Sequence, residues 1–475
     1  VAVVSSVEPQ VQERPAPGAA LARFVQGVVA ASAVASITLA LAFFLGSILI
    51  TCTSTDPFSV IGKYGLSLGM VGHLLHYPYT AFDSLFTGAF GGPDLGTTSV
   101  TLSQALPLVF TGLAVAFAFR GGLFNIGAEG QLVAGALLAS VVGVSWSGLP
   151  GILLAPAVLV ASVLSGLAMG AIAGVLKAYR GAHEVITTIM LNYIAIYGAT
   201  ALVESSGPLN APNSNGQAVT AHAGAGALLP FVSWLGKGTT LDAGAYLVIV
   251  CLVVYWFVFN RTSLGYEITA IGLNPGAAAY GGIPVKQRIV LTMAIAGGLG
   301  GLAGGLYIAD PTGTGAFEAP FDPGWGFDGI SIALLGKGNP VGMLLSALLF
   351  GALRTGSQSM QLVGVSPHMT EVLQGIIVLF IALDVVVGKL LNRRRGASGG
   401  TASGTFMQEW RGLLVLAAIS ATIAVLFSHL FFGILAFGLA GLYVLARRQA
   451  TRGVLVVVVY SAICLALGLL INQYL

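Results

Sequence analysis

Along most of this chain polar residues neither alternate with apolar ones nor recur every three or four positions. They gather in short clusters between long apolar runs. These runs predict helices at about 24–50, 101–119, 128–145, 152–176, 184–204, 243–259 and 288–309. A short one follows at 326–336, then 340–357, 370–388, 412–427, 430–446 and 453–471. Most approach or exceed the roughly 18 apolar residues that cross a hydrocarbon core about 30 Å thick. A membrane β-barrel would show segments of about ten residues with alternating character, and these runs do not alternate. The expectation is an all-α polytopic membrane protein.

Composition strengthens that reading. The chain has 475 residues, 56% of them hydrophobic and 8% charged, against about 25% charged in a soluble domain. Glycine, at 66 residues, suits helices whose backbones approach closely in a bilayer. Cys52, Cys251 and Cys464 show no metal-binding spacing. LITC at Leu49–Cys52 sits at the end of an apolar run too long for a signal peptide, so it reads as part of a first membrane helix.

Basic residues orient the chain. With a cytoplasmic N-terminus, the inner segments hold Arg14, Arg23, Arg120, Lys177, Arg180, Arg261, Lys286, Arg288, Lys337, Lys389, Arg393–Arg395, Arg447, Arg448 and Arg452. Of 20 Lys and Arg, only Lys63, Lys237, Arg354 and Arg411 fall elsewhere or near a boundary, as the positive-inside rule expects. Residues 1–23, with three prolines, read as a disordered cytoplasmic tail. Residues 24–390 form a core, 391–411 a Gly/Ser-rich linker, and 412–475 an appended set of about three helices. Residues 51–100 and 205–240 read as outer segments without a domain of their own.

The motifs with chemical content fall between the spans. FRGGLFNIGAEGQLVAG, Phe119–Gly135, places Arg120, Asn125, Glu129 and Gln131 between two apolar runs. An unmatched carboxylate or amide at mid-span costs on the order of 3 kcal/mol. Glu129 is therefore expected either near the interface with a partner such as Arg120 or facing a cavity. A tight polar inner turn and a substrate-facing helix break both fit. GAHEVITTIMLNYIA, Gly181–Ala195, carries Asn192 and Tyr193 deep in a span, where Asn192 fits either interhelical glue or a path lining. GWGFDGISIALLGKGNP, Gly324–Pro340, repeats the style of the first stretch, and Gly/Pro-interrupted segments in two halves of a transporter point to its substrate site. GKGNP fits either a re-entrant loop or a crossing.

Other patterns carry less. LGKGTT and LLGKGNP lack the G-x-x-x-x-G-K-[ST] of a phosphate loop, so ATP, if used, binds another chain. GGLGGLAGG, Gly297–Gly305, lies inside a span with no preceding strand; Gly297, Gly301 and Gly305 repeat every four residues, the spacing of close helix packing. The inner loop Arg261–Gln287 contains a helix-compatible piece, Pro275–Tyr280. It fits either a solvated loop or a surface helix that docks a cytosolic partner.

Four blocks, FRGGLFNIGAEGQ, HEVITTIMLNYIA, GLNPGAAAYGGIP and GWGFDGISIALLGKGNPVG, resemble in order and spacing the permease subunits of ABC importers in the branched-chain amino acid/simple sugar permease superfamily. The NIGAEGQ form looks most like the larger permease subunit of bacterial nucleoside importers. The resemblance covers about residues 30–390. It implies a roughly ten-helix core with broken or short helices, set in the plasma membrane of a bacterium. It also implies a cytosolic ABC ATPase, a second related permease subunit and an extracytoplasmic solute-binding lipoprotein as partners. No cofactor and no enzymatic step are expected in this chain.

On that resemblance Gly272, Asn274, Ala277, Ala278 and Gly281 match the loop that seats on the ATPase, although no Glu precedes the Ala pair. Path candidates are Asn125, Glu129, Gln131, Asn192 and Asp328 as polar groups, with Phe124, Trp325 and Phe327 as ring faces. Two other classes stay open: an ion-coupled secondary carrier of a small polar solute, which leaves the Ala-rich loop unexplained, and a membrane scaffold or enzyme, for which the chain shows no convergent nucleophile, base or metal set.

Overall fold

The computed structural model describes residues 68–379, except 92–95, 233–237 and 367, together with residues 43, 45–51 and 53. The expected tail at 1–23, most of the span at 24–50, the linker at 391–411 and the appended spans at 412–475 lie outside the described residues. Thr80–Gln374 forms one compact unit; a second comprises Val1–Tyr79 and Gly375–Leu475.

The helices run α1 Leu68–Phe90, α2 Gly96–Arg120, α3 Ala128–Ser145, α4 Gly151–Arg180, α5 Glu184–Val203 and α6 Gly244–Arg261. They continue as α7 Ser263–Leu273, α8 Pro275–Tyr280, α9 Val285–Ala309, α10 Trp325–Leu335 and α11 Pro340–Leu362, with a last short apolar helix, α12, at Met369–Leu379. Seven of these, α2 to α6, α9 and α11, are long and apolar enough to cross a membrane. Among the described residues the β structure is limited to two isolated bridges, Val219–Glu318 and Phe231–Asp242. This is an all-α polytopic membrane protein, with boundaries close to those the apolar runs predict.

One expectation is corrected. Residues 51–100 were expected to be an outer segment, yet α1 occupies much of them. His73, His76, Asp83 and Pro78 dilute its apolar character below that of a clear span. Packing supplies what the pattern lacks: Ala81, Phe82, Leu85 and Ala89 are buried. Ala89 O accepts from Thr101 Oγ1 of α2 at 2.8 Å. Gly356 of α11 packs on the Leu85 backbone, where a Cβ would also come within 2.8 Å of Leu85 Cγ.

Helix α9 is buried on nearly all sides from Thr292 to Ala309, as a helix without a polar face must be. Its glycines explain how. A Cβ on Gly297 would lie 2.9 Å from Gly170 Cα, and one on Gly301 2.9 Å from Gly166 Cα, so α4 and α9 meet backbone to backbone. Gly300 and Gly304 turn towards Gln131 and Leu132 of α3. The GGLGGLAGG stretch is a packing seam.

Helix α10 has 11 residues, about 16 Å at 1.5 Å per residue, too short to cross alone. Its far end returns to the side of Arg120, which donates from Nη2 to Gly338 O at 3.3 Å. Helix α9 starts on that same side, because Gly121 packs against Thr292. The chain therefore crosses back between Ala309 and Gly336 as an irregular limb followed by a half-helix.

Candidate functional site

The opening motif is a helix break. Helix α2 ends at Arg120, and Gly122 turns the chain at φ +68°, a conformation glycine adopts without steric cost. Gly121 faces Thr292 of α9, whereas Gln131 faces Gly300, eight positions further along α9 and about 12 Å away. Residues 122–127 thus climb into the protein, and α3 begins at depth. A buried helix start leaves N–H groups without partners, and the motif supplies them. Asn125 Oδ1 accepts from Gly127 N at 3.1 Å. Asn192 of α5 accepts from Gly130 N at 2.8 Å and donates to Ile126 O at 2.9 Å. Asn125 and Gln131 exchange two amide hydrogen bonds at 3.0 and 3.1 Å.

Glu129 is 0% exposed and meets neither expectation for it. Arg120 is not its partner; it lies over Phe259, 5.4 Å from the ring centroid. Instead the carboxylate accepts from Gly324 N at 3.0 Å and Gly326 N at 2.5 Å, the amides that open α10. These bonds answer two of the N–H groups that a buried helix start leaves without partners. A Cβ on Gly326 would overlap the Glu129 backbone, so glycine is what lets the two broken helices touch.

Beside this contact Asp328 takes hydrogen bonds from Arg354 Nη2 at 2.6 Å and Nε at 3.1 Å, and Arg354 Nη2 also reaches Pro323 O at 3.1 Å. Trp325 is buried, edge-on to Tyr307 at 5.9 Å, and its Nε1 has no hydrogen-bond partner among the described residues. Phe124 and Phe327 are exposed. Structure therefore brings Asn125, Gln131 and Asn192 into one cluster and Glu129 onto α10, which also carries Asp328 and Trp325. Phe124, its ring tilted on Phe119 at 4.8 Å, and Phe327 lie on these same two breaks, each about half exposed.

The second region is the loop Arg261–Gln287, expected from its basic residues on the inner side. Thr262 caps α7 through Gly265 N at 3.2 Å, and Asn274 caps α8 through Ala277 N at 3.1 Å, with Pro275 in the first turn. Ile268, Ile271 and Ala278 are buried, while Leu273, Tyr266 and Tyr280 are exposed, Tyr280 at 98%. Asn274, Ala277 and Gly281 are exposed as well. Glu267 pairs with Arg288 at the start of α9. Gly272 packs against the Arg120 carbonyl, and a Cβ on Gly122 would lie 3.0 Å from Gly272 Cα. The inner loop and the helix break touch through backbone.

The family described as branched-chain amino acid transport system / permease component matches residues 97–382. The chain belongs to this family. The permease is 35% identical over 351 residues to the nucleoside ABC transporter permease protein NupB of Lactococcus lactis, covering 72% of this chain and 94% of the relative. It is 36% identical to the guanosine ABC transporter permease protein NupP of Bacillus subtilis, covering 67% and 90%. A glucose ABC transporter permease protein of Haloferax volcanii matches at 32%, covering 69% and 87%. No solved structure matches.

The chain is thus a permease component of an ABC importer and not itself catalytic, which sets aside the ion-coupled carrier. Membership implies the usual ATPase, second permease and solute-binding protein. Sequence reading missed several parts of the permease's central joint. Arg354 stood out only as a cation away from the inner side. Gly324 and Gly326 act through backbone N–H groups that no side-chain pattern signals.

Proposed function

We propose that this permease moves nucleosides, or closely related sugar-bearing solutes, inward across the cytoplasmic membrane of a bacterium. The likeness to the nucleoside and guanosine permeases carries the substrate class. In this reading residues 24–390 are the transporting core with a cytoplasmic N-terminus, and 412–475 add about three membrane helices beyond the 391–411 linker.

The cytosolic ATPase engages Asn274, Ala277 and Gly281 on the exposed side of α7–α8, with Gly272 and Ala278 facing the membrane part. Nucleotide-driven movement of that loop reaches the helix break through Gly272 and Gly122. Phe124 and Phe327 offer ring faces to the solute. Asn125, Glu129, Gln131, Asn192, Trp325 and Asp328 stand behind them, shaping the path by fixing where α3 and α10 begin. The solute shifts no equilibrium unless it binds two states differently, so direction comes from nucleotide and the solute-binding protein.

The test is uptake of labelled nucleoside by the reconstituted complex, with its solute-binding protein profiled against nucleosides, sugars and amino acids. Nucleoside-dependent, ATP-driven uptake is expected. A solute-binding protein that selects amino acids or free sugars would replace the substrate class. A Cβ on Gly272 would lie 2.3 Å from the Arg120 carbonyl oxygen. Gly272→Ala should therefore push the α7–α8 loop off the helix break and lower transport by at least about tenfold, about 1.4 kcal/mol of coupling, with the subunit composition of the purified complex measured alongside. Full transport in that variant would remove the Gly272–Gly122 contact from the mechanism.

A further inference from the structure

Helix α5 turns one narrow stripe into the protein: Thr188, Asn192, Ile196, Ala199 and Val203. The other side carries Tyr193 and Tyr197, 52% and 68% exposed. Their rings are nearly parallel, at 16° and a centroid separation of 6.1 Å. A Cβ on neighbouring Gly198 would meet only open space. Neither hydroxyl has a hydrogen-bond partner among the described residues.

Their place along the helix is informative. Helix α5 opens at Glu184, paired with Lys177 at 2.7 Å, and closes at Val203 before a polar outer segment. Tyr193 lies midway, about 14 Å from the Glu184 end at 1.5 Å per residue. Tyrosines of membrane helices gather at the two interfaces, where the hydroxyl stays wet. A hydroxyl in hydrocarbon without a partner is disfavoured. The Tyr193 hydroxyl at mid-span needs a polar or aqueous neighbour, which lipid does not provide. Tyr197, about 9 Å from the Val203 end, shares its stack. Asn192, the residue before Tyr193, ties α5 to the helix break by two hydrogen bonds, and the same break exposes Phe124. The stack is thus carried on a helix fixed to the candidate site.

We propose that Tyr193 and Tyr197 face the solute path and form a stacking platform for a planar heteroaromatic ring of the solute. The class of ring rests on the nucleoside reading above; the placement of the pair on the path does not. Aromatic side chains accept any base by its π-face, and their hydroxyls offer hydrogen bonds to base or sugar. Because the rings already stack on an anchored helix, little ordering is needed on binding.

Two measurements on the reconstituted complex test this. In uptake, Tyr193→Leu with Tyr197→Leu should reduce nucleoside transport below saturation by about tenfold or more, with ATP hydrolysis and subunit composition unchanged. Tyr193→Phe with Tyr197→Phe keeps the rings and should stay close to wild type. A Phe pair as damaging as the Leu pair overturns stacking. Loss of the second permease from a folded Leu variant overturns the path assignment in favour of a subunit contact. In labelling, Cys52, Cys251 and Cys464 are replaced by Ala, and Tyr193→Cys or Tyr197→Cys is exposed to a membrane-impermeant methanethiosulfonate. Reaction that changes with added ATP supports the path. Cysteines that never react overturn it. If labelling succeeds but the wild-type complex takes up no nucleoside, the path placement stands and the base-stacking role falls with the nucleoside reading.

Discussion

Along the α4–α9 seam Gly166, Gly170, Gly297 and Gly301 set backbone against backbone. At the helix break the same closeness is reached with polar groups: Glu129 on Gly324 and Gly326, Asn192 on Gly130 and Ile126, Asn125 on Gln131. Lipid tails are as apolar as leucine, so burial alone does not drive helices together in a bilayer. Close packing and interhelical hydrogen bonds do. The seam uses the first device on two continuous helices and asks only for small residues. The break interrupts two helices, frees their terminal N–H groups, and must answer each one. A joint of the first kind leaves no space between two continuous backbones, whereas one of the second kind rests on a few polar contacts, with Gly272 packed beside it.

The contrast can be broken most severely at the seam. Gly301→Leu should prevent formation of the folded permease, because the new side chain meets the Gly166 backbone with no flexible group to yield. The expected loss exceeds about 4 kcal/mol, the range of severe overpacking. Fluorescence-detected size exclusion after heating would report it, and a monodisperse variant of wild-type stability would show that the seam is plastic.

At the break the expected effect is smaller and graded. Glu129→Ala leaves the Gly324 and Gly326 amides unanswered and should cost about 1–3 kcal/mol for each buried donor left without a partner. Glu129→Gln, with one remaining acceptor oxygen, should fall between. Thermal midpoints of purified protein, compared with uptake, would check this ordering. Equal stability of all three would mean that Glu129 does not hold α10.

A third carboxylate sharpens the comparison outside the spans. Asp242 precedes α6 and accepts from Gly244 N at 2.6 Å, much as Glu129 serves α10. Burial, opposed by that hydrogen bond and reinforced by Asp310, raises its carboxyl to about 6 from an ordinary 3.8. A raised folded-state value means that the folded state holds the proton more tightly. Its contribution is fully present below about pH 4 and is lost as pH rises through about 6. Up to about 3 kcal/mol of stability should disappear across that window, from 1.36 kcal/mol per unit. Asp242→Asn should flatten the pH dependence of the melting temperature there; an unchanged slope would assign it to other groups.

Much of this architecture was legible in the amino-acid order. The spans at 128–145 and 184–204 match α3 and α5 closely, because a largely apolar run of roughly twenty residues has few other solutions. The short helix Pro275–Tyr280 was marked by Asn274 and Pro275, a cap and a first-turn residue. Helix α1 was not legible, because its polar residues hide a helix that packing against α2 and α11 stabilises. The partner of Glu129 was not legible either. Sequence reading looks for a cation, and the answer was a pair of backbone amides about two hundred positions away.

The sequence by itself determined that this chain lies in a membrane, where most helices of the described residues run and to which family it belongs. Each follows from local composition or from motifs read in order. Only the tertiary structure decided that residues 122–127 climb inward, that α10 is a half-helix resting on Glu129, and that the inner loop touches the break. Those outcomes depend on which N–H groups a fold leaves exposed and which distant atoms come within reach to satisfy them. Hydrogen-bond satisfaction in a dry interior belongs to the folded whole, and no single stretch of the chain records it.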